Sequence, residues 1–170
     1  MTGGPLGLAL VDFQLTRENP GEWDISYFAV ESLNSATRAD IECDLLVAYH
    51  AALLAQPGSR VPADYSLLQC FSAYQESILH LWPLQVVLVL TGTLASRDGA
   101  KLMRLMNERL CAATSDWQCD RWLDLRFNIA KGTGPTLFPQ LSTQQMFDVL
   151  PTRAQHKLIE LGQAPGLSKL

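Results

Sequence analysis

Between Ile78 and Ala95 the chain reads ILHLWPLQVVLVLTGTLA, without one Asp, Glu, Lys or Arg. A stretch this apolar has to leave water, so it either crosses a bilayer or lies inside a protein core. A spanning helix needs about 20 predominantly apolar residues, and His80, Pro83, Gln85, Thr91, Gly92 and Thr93 interrupt this one. A buried helix of a soluble bundle accounts for it better, so no membrane partner is expected. The rest of the chain must then supply the cover. With 170 residues, 48% of them hydrophobic and 18% charged, it is long enough for one compact core and far from the disordered class.

The flanking pattern is helical. Asn19-Pro20-Gly21 signals a turn, after which Asp24 is the expected N-cap of a short helix through Ile25, Tyr27, Phe28 and Val30. Asn34 or Ser35 caps the next helix, which ends near Gln56. Its expected inner stripe is Ile41, Leu45, Ala48, Tyr49, Ala52 and Leu53, with Arg38, Asp40, Glu42 and Asp44 largely off it. Asp64 is expected to cap a helix over residues 65–81, and Pro83 to stop or kink it before another apolar helix over 84–95. Arg97 and Asp98 open a further helix, carrying Leu102, Leu105, Met106, Arg109 and Leu110 to about Trp117.

The one strand candidate is Gly7 to Phe13 (GLALVDF), with Asp12 near its end. Past Trp122 the character changes. Lys131 to Pro139 reads as a loop, Ser142 with Gln145 makes a capping box, and residues 153–162 form a modest helix before a frayed end. These features divide the chain at about residue 128, into a helical part (1–128) and a loop-rich tail (129–170) packed on the same domain.

Charge and cysteine usage narrow the function. Thirteen basic and 17 acidic side chains give a net charge of -4, and no Lys/Arg run is present to neutralise successive phosphates, so nucleic acid is not an expected partner. Cys43, Cys70, Cys111 and Cys119 stand singly, which suits reduced core thiols rather than a metal knuckle. Residues 1–10 lack the basic region of a signal peptide, and the expected location is the cytoplasm.

Four ordered elements carry more specific information: Val11-Asp12-Phe13-Gln14, then Asp24-Ile25-Ser26-Tyr27-Phe28, then Arg38, then Tyr49-His50. This order and spacing resembles the aminoglycoside phosphotransferase and choline-kinase-like superfamily, including its ecdysteroid-kinase-like branch. The resemblance extends more loosely through Asp64-Tyr65 and Met106-Asn107-Glu108-Arg109-Leu110 to about residue 122. It implies a mostly α fold, the helical C-terminal lobe of a protein-kinase-like architecture with a short N-terminal strand or hairpin remnant. It further implies an ATP-dependent kinase that transfers phosphate to a small-molecule hydroxyl acceptor. On this resemblance Asp12 is the magnesium ligand, standing where protein kinases have the Asp of Asp-Phe-Gly. Such a site needs a carboxylate to hold the metal that bridges the nucleotide phosphates.

The resemblance also implies that much of the site is missing. In the superfamily a His-Gly-Asp-like catalytic loop, a metal-binding Asn and the ATP lobe all lie upstream of the Asp-Phe-Gln strand. The 11 residues before Asp12 hold no Asp, Asn, His or Lys. Phosphoryl transfer depends on several groups acting together, so the expectation is a kinase fragment, inactive alone. Apart from Asp12 as metal ligand, no catalytic or cofactor-binding residue is assigned. The alternative expectation is a noncatalytic helical protein-interaction module, self-associating through the face left by the missing lobe. Asp24, Tyr49, His50, His80 and His156 read more simply as capping or packed residues, and Lys131-Gly132-Thr133-Gly134 as a turn without phosphate-loop spacing. Tyr27, Tyr65, Tyr74, Trp82 and Trp117, with Asp116, read as core residues rather than as the lining of an acceptor pocket.

Overall fold

The computed structural model describes residues 20–58, 61–62, 64–90, 96–133 and 141–166, with the side chains at 90 and 127–133 set aside. The expected strand and Asp12 lie outside the described residues. Within them the chain is mostly α, with helices α1 (Glu22–Ser32), α2 (Ser35–Ala55), α3 (Leu67–Leu90), α4 (Arg97–Asp116), α5 (Cys119–Thr133), α6 (Thr143–Val149) and α7 (Thr152–Glu160). No strand occurs among the described residues.

Helix α3 is the axis of the bundle and packs against every other helix. Its Leu67, Leu68, Cys70, Phe71, Tyr74, Ile78 and Leu81 are buried, and so are the polar Ser72, Gln75, Ser77 and Gln85. A helix buried around most of its girth has to sit at the centre, which is where the uncharged stretch leads. No helix of the described residues is long and apolar enough to cross a membrane.

The expected break at Pro83 does not occur, since α3 runs through it to Leu90. An interior proline costs a helix about 3 kcal/mol through its missing N–H and its clash with the preceding turn. Ile78 and Leu81 before it are fully buried, and each such side chain contributes about 1.5–3 kcal/mol. The Trp82 indole donates to Thr114 Oγ1 at 3.1 Å and Gln85 is buried one turn on. Packing on both sides of the proline thus exceeds its local penalty. Beyond it the cover thins, and Val86 and Val87 are more than half exposed.

Helix starts follow hydrogen-bond supply more than the nearest acidic residue. Asp24 is not the cap of α1 but its third residue, because Pro20 and Gly21 carbonyls already accept from Trp23 and Asp24. Asp64 does not cap α3 either. Ser66 Oγ accepts from the Gln69 N–H at 3.2 Å while Gln69 Oε1 accepts from the Ser66 N–H at 2.7 Å, a reciprocal capping box. Asn34, not Ser35, caps α2 by accepting from Thr37 N–H at 2.9 Å, and the expected Ser142–Gln145 box is present on α6. Helix α7 ends in a Schellman turn. Gly162 sits at φ +67°, with its N–H on the Ile159 carbonyl and that of Gln163 on the Leu158 carbonyl.

The inner faces of two helices are rotated from the expected stripes. On α2 the buried residues are Arg38, Glu42, Leu46 and His50, while Ile41, Ala48 and Ala52 are exposed. On α4, Met103, Met106, Leu110 and Ala113 are buried while Leu102 and Leu105 face solvent. Helix α5 passes through residue 128 without interruption and takes in Lys131, Gly132 and Thr133, expected as a turn. Leu150, Ala154 and Leu158 of the C-terminal segment join the same core cluster as α3.

These caps separate by mutation. Ser66→Ala is expected to lower stability by about 1 kcal/mol, and Asp64→Ala to leave the urea midpoint unchanged. Equal losses at the two positions would contradict the assignment of Ser66 as the cap.

Candidate functional site

Among the described residues several groups of polar side chains lie inside the bundle. The largest joins α2, α3, α4 and α7. Arg38, fully buried, donates from Nη1 to Glu42 Oε2 at 2.7 Å and from Nη2 to Asp116 Oδ2. The other Glu42 oxygen pairs with Arg153 Nη2, and Tyr74 Oη donates to Glu42 Oε2 at 3.2 Å. The Arg153 guanidinium also lies 5.6 Å from the centroid of the buried Trp117 ring. Burial alone would lower the Arg38 pKa, but the carboxylates of Glu42 and Asp116 outweigh it and the net shift is upward. Burial and the Glu42 charge both raise the Tyr74 hydroxyl well above its ordinary value. Two guanidinium and two carboxylate groups balance, with each committed to another. Such a cluster fixes helix positions but leaves no group free to move a proton.

The second group closes around Glu22 at the start of α1. Tyr65 Oη donates to Glu22 Oε1 at 2.7 Å, and burial together with the Glu22 charge raises the Cys70 thiol well above its ordinary value. Burial followed by the Glu22 charge pushes the Tyr49 hydroxyl up to about 12. A Cβ on Gly21 would lie 2.2 Å from the Tyr49 oxygen, so a larger residue there would have to displace the Tyr49 ring. His50 Nε2 lies 2.8 Å from the Tyr65 carbonyl oxygen. A carbonyl only accepts, so Nε2 carries the proton and is not a base at that atom.

The third group joins α1, α3 and α4. Gln85 Nε2 donates to Glu31 Oε1 at 2.6 Å, and Arg109 Nη1 donates to the Glu31 backbone carbonyl. Burial raises the Glu31 pKa, and the Gln85 hydrogen bond and the Arg109 charge only partly pull it back.

The residues singled out by sequence therefore separate. Arg38 and His50 are buried anchors, Tyr49 is half-buried, Asp24 is exposed in the first turn of α1, and His80 and His156 are exposed. Tyr74 and Trp117 are core residues, whereas Tyr27 is 39% exposed and stacks on Trp23. Burial pushes the Cys43 thiol to about 11 and Cys119 to about 12, which keeps both protonated and unreactive at neutral pH. Cys111 departs from the expectation of core thiols and is exposed at the surface of α4. Sequence reasoning missed Glu42 and Arg153 as interior partners. The available signal was the i,i+4 spacing of Arg38 and Glu42, which suits a pair on one helix face; nothing local points to Asp116 or Arg153.

Among the described residues no group of three or more His, Cys, Asp or Glu side chains is placed to hold a metal ion. Asp12 lies outside them, so no step through magnesium or ATP is derived. No family model matches the chain, and neither curated proteins nor solved structures give a match.

Two outcomes test these groups. Arg38→Met strips the buried Glu42 carboxylate of a partner and is expected to cost about 3–5 kcal/mol in chemical denaturation. A loss no larger than that of a surface substitution would remove the cluster from its structural role. Glu31 has a folded pKa above its ordinary 4.5, so the native state holds this proton more tightly than the unfolded chain. The resulting stabilisation is complete below about 4.5 and is lost as pH rises through the folded value. Glu31→Gln keeps the acceptor for Gln85, so the melting temperature of the natural chain should fall relative to this variant as pH rises from about 4.5. A pH-independent difference would exclude the linkage.

Proposed function

We propose that these helices form the C-terminal lobe of an ATP-dependent small-molecule phosphotransferase, with Asp12 as its magnesium ligand and a hydroxyl compound as acceptor. One observation carries the reading. After Val11-Asp12-Phe13-Gln14 come Arg38 and Tyr49-His50 in the order of that superfamily, and Arg38 and His50 are buried with polar partners while Tyr49 is half-buried against the core. The Tyr65–Glu22 hydrogen bond holds the start of α1, the first helix of the described residues. A metal-binding carboxylate needs this kind of rigid support, because phosphoryl transfer is largely positioning and charge stabilisation. The described residues then act as frame, while the base and the nucleotide lobe come from elsewhere.

The test is to sequence the transcript upstream of the Met1 codon and express the whole reading frame. The expected product carries a His-Gly-Asp-like loop, binds magnesium-ATP in calorimetry and transfers phosphate to a hydroxyl acceptor. Asp12→Ala is expected to lower kcat by about a thousandfold, with Asp24→Ala having little effect. A full-length product that neither binds magnesium-ATP nor responds to Asp12→Ala would discard this reading in favour of a noncatalytic helical interaction module. The exposed Val86, Val87, Leu102 and Leu105 are the feature that favours that alternative.

A further inference from the structure

Helix α1 packs on α3 and α4 and is tied down near each end through a carboxylate. At its start Glu22 accepts from Tyr65 Oη at 2.7 Å. In its last turn Glu31 Oε1 accepts from Gln85 Nε2 at 2.6 Å, and Arg109 Nη1 donates to the Glu31 backbone carbonyl. This second tie is incomplete. Glu31 Oε2 and Gln85 Oε1 are both buried without a hydrogen-bond partner, and Gln85 as a whole is 3% exposed. Two groups already joined by one hydrogen bond thus each hold an acceptor that lacks a donor, which is a destabilising arrangement inside a protein.

Arg109 does not supply the missing donor. Its Nη1 is spent on the backbone carbonyl, its Nε is buried without a partner, and Oε2 receives nothing from it. Arg109 on α4 is nonetheless the charged group whose field reaches this carboxyl. Of the other ionisable side chains on the neighbouring helices, Arg38 and Glu42 of α2 pair with each other and Glu76 of α3 pairs with Arg126. The position of Glu31 also disfavours its charge. It is the next-to-last residue of α1, where the free helix carbonyls carry negative partial charge and no basic residue offsets them from within the turn. A carboxylic acid and a primary amide have complementary edges, the acid O–H meeting the amide oxygen while the amide N–H meets the acid oxygen. Here the N–H half is already made.

We propose that Glu31 and Gln85 form a proton-operated clasp between α1 and α3: a proton taken from solvent onto Glu31 Oε2 is donated to Gln85 Oε1, so the neutral pair is joined by two hydrogen bonds and the ionised pair by one. Closing satisfies both free oxygens and removes a negative charge from the end of α1. Burial raises the Glu31 pKa above its ordinary 4.5, so the clasp is closed below the folded value and opens as pH rises through it. Opening releases only the end of α1, because Tyr65 still holds its start. The clasp uses neither Asp12 nor ATP and stands or falls independently of the phosphotransferase reading.

The full chain, carrying carbon-13 at the side-chain carbonyls of Glu and Gln, is titrated by NMR from about pH 4 to 8, a range that spans the carboxylates and His. Glu31 Cδ is expected to titrate with a midpoint above 4.5, and Gln85 Cδ to move with the same midpoint. Hydrogen exchange of the amides in the last turn of α1, corrected for its intrinsic pH dependence, is expected to quicken about fivefold as the pair ionises. Glu31→Gln puts an amide N–H where the acid proton was and should hold the clasp closed, with a flat Gln85 signal and slow exchange at every pH. A Gln85 signal that stays fixed while Glu31 titrates, a Glu31 midpoint at or below 4.5, or a folded Glu31→Gln variant whose last turn still loosens as pH rises would each overturn the proposal. The first two are read on the natural chain, so the test does not depend on the variant folding.

Discussion

The meeting of α2, α3, α4 and α7 depends on the buried Glu42 carboxylate. A carboxylate carried out of water costs several kcal/mol unless it is paired and hydrogen-bonded. Here Arg38 holds one oxygen and Arg153 the other, while Tyr74 adds a hydroxyl donor. Arg38 in turn reaches Asp116 at the end of α4. One side chain therefore requires α2, α3, α4 and α7 to meet at one point. Replacing such a cluster by well-packed apolar residues is often neutral or stabilising. What it supplies that apolar packing does not is register, since a shift of one turn leaves a charge buried without its partner.

The helical class and the ends of α2, α4 and α6 were legible in the sequence, whereas α5, the starts of α1 and α3 and the passage of α3 through Pro83 were not. Asn34, the Ser142–Gln145 box and the apolar run of α3 each follow from local chemistry that acts over three or four residues. The inner face of α2 was not legible. Hydrophobic periodicity favours Ile41 and Ala48 as inward, and it has no means of foreseeing that Arg38 and Glu42 are worth burying. That depends on Asp116, 78 residues away from Arg38. Likewise, Pro83 is a breaker by propensity, and only the packing of Ile78, Leu81 and Gln85 on either side reverses it. The resemblance that directed attention to Arg38, Tyr49 and His50 pointed at residues with structural duties, while its proposed metal ligand, Asp12, lies outside the described residues.

The bundle is uneven along α3. Toward its N-terminal half the helix is enclosed, with Phe71 and Tyr74 edge-on to Trp117 at 6.1 and 4.7 Å between ring centroids. There Gln75 donates to the Trp117 and Val149 carbonyls at 2.6 and 2.9 Å, tying the end of α4 and the C-terminal segment to α3. Past Pro83 the same helix exposes Val86, Val87 and Val89, and the polar contacts become sparse. The enclosed end is the one that carries the ion cluster, and the other leaves valines at the surface.

The ion cluster also sets an order of events on the ribosome. Arg38 and Glu42 are neighbours on one helix and can meet as soon as α2 forms, but Asp116 emerges much later and Arg153 later still. Between the emergence of Asp116 and that of Arg153 the cluster carries two carboxylates against one guanidinium, and water has to stay beside the excess charge. The cluster is therefore completed only once α7 has left the exit tunnel, so the register that it sets between α2 and α7 is a late event in the folding of the growing chain.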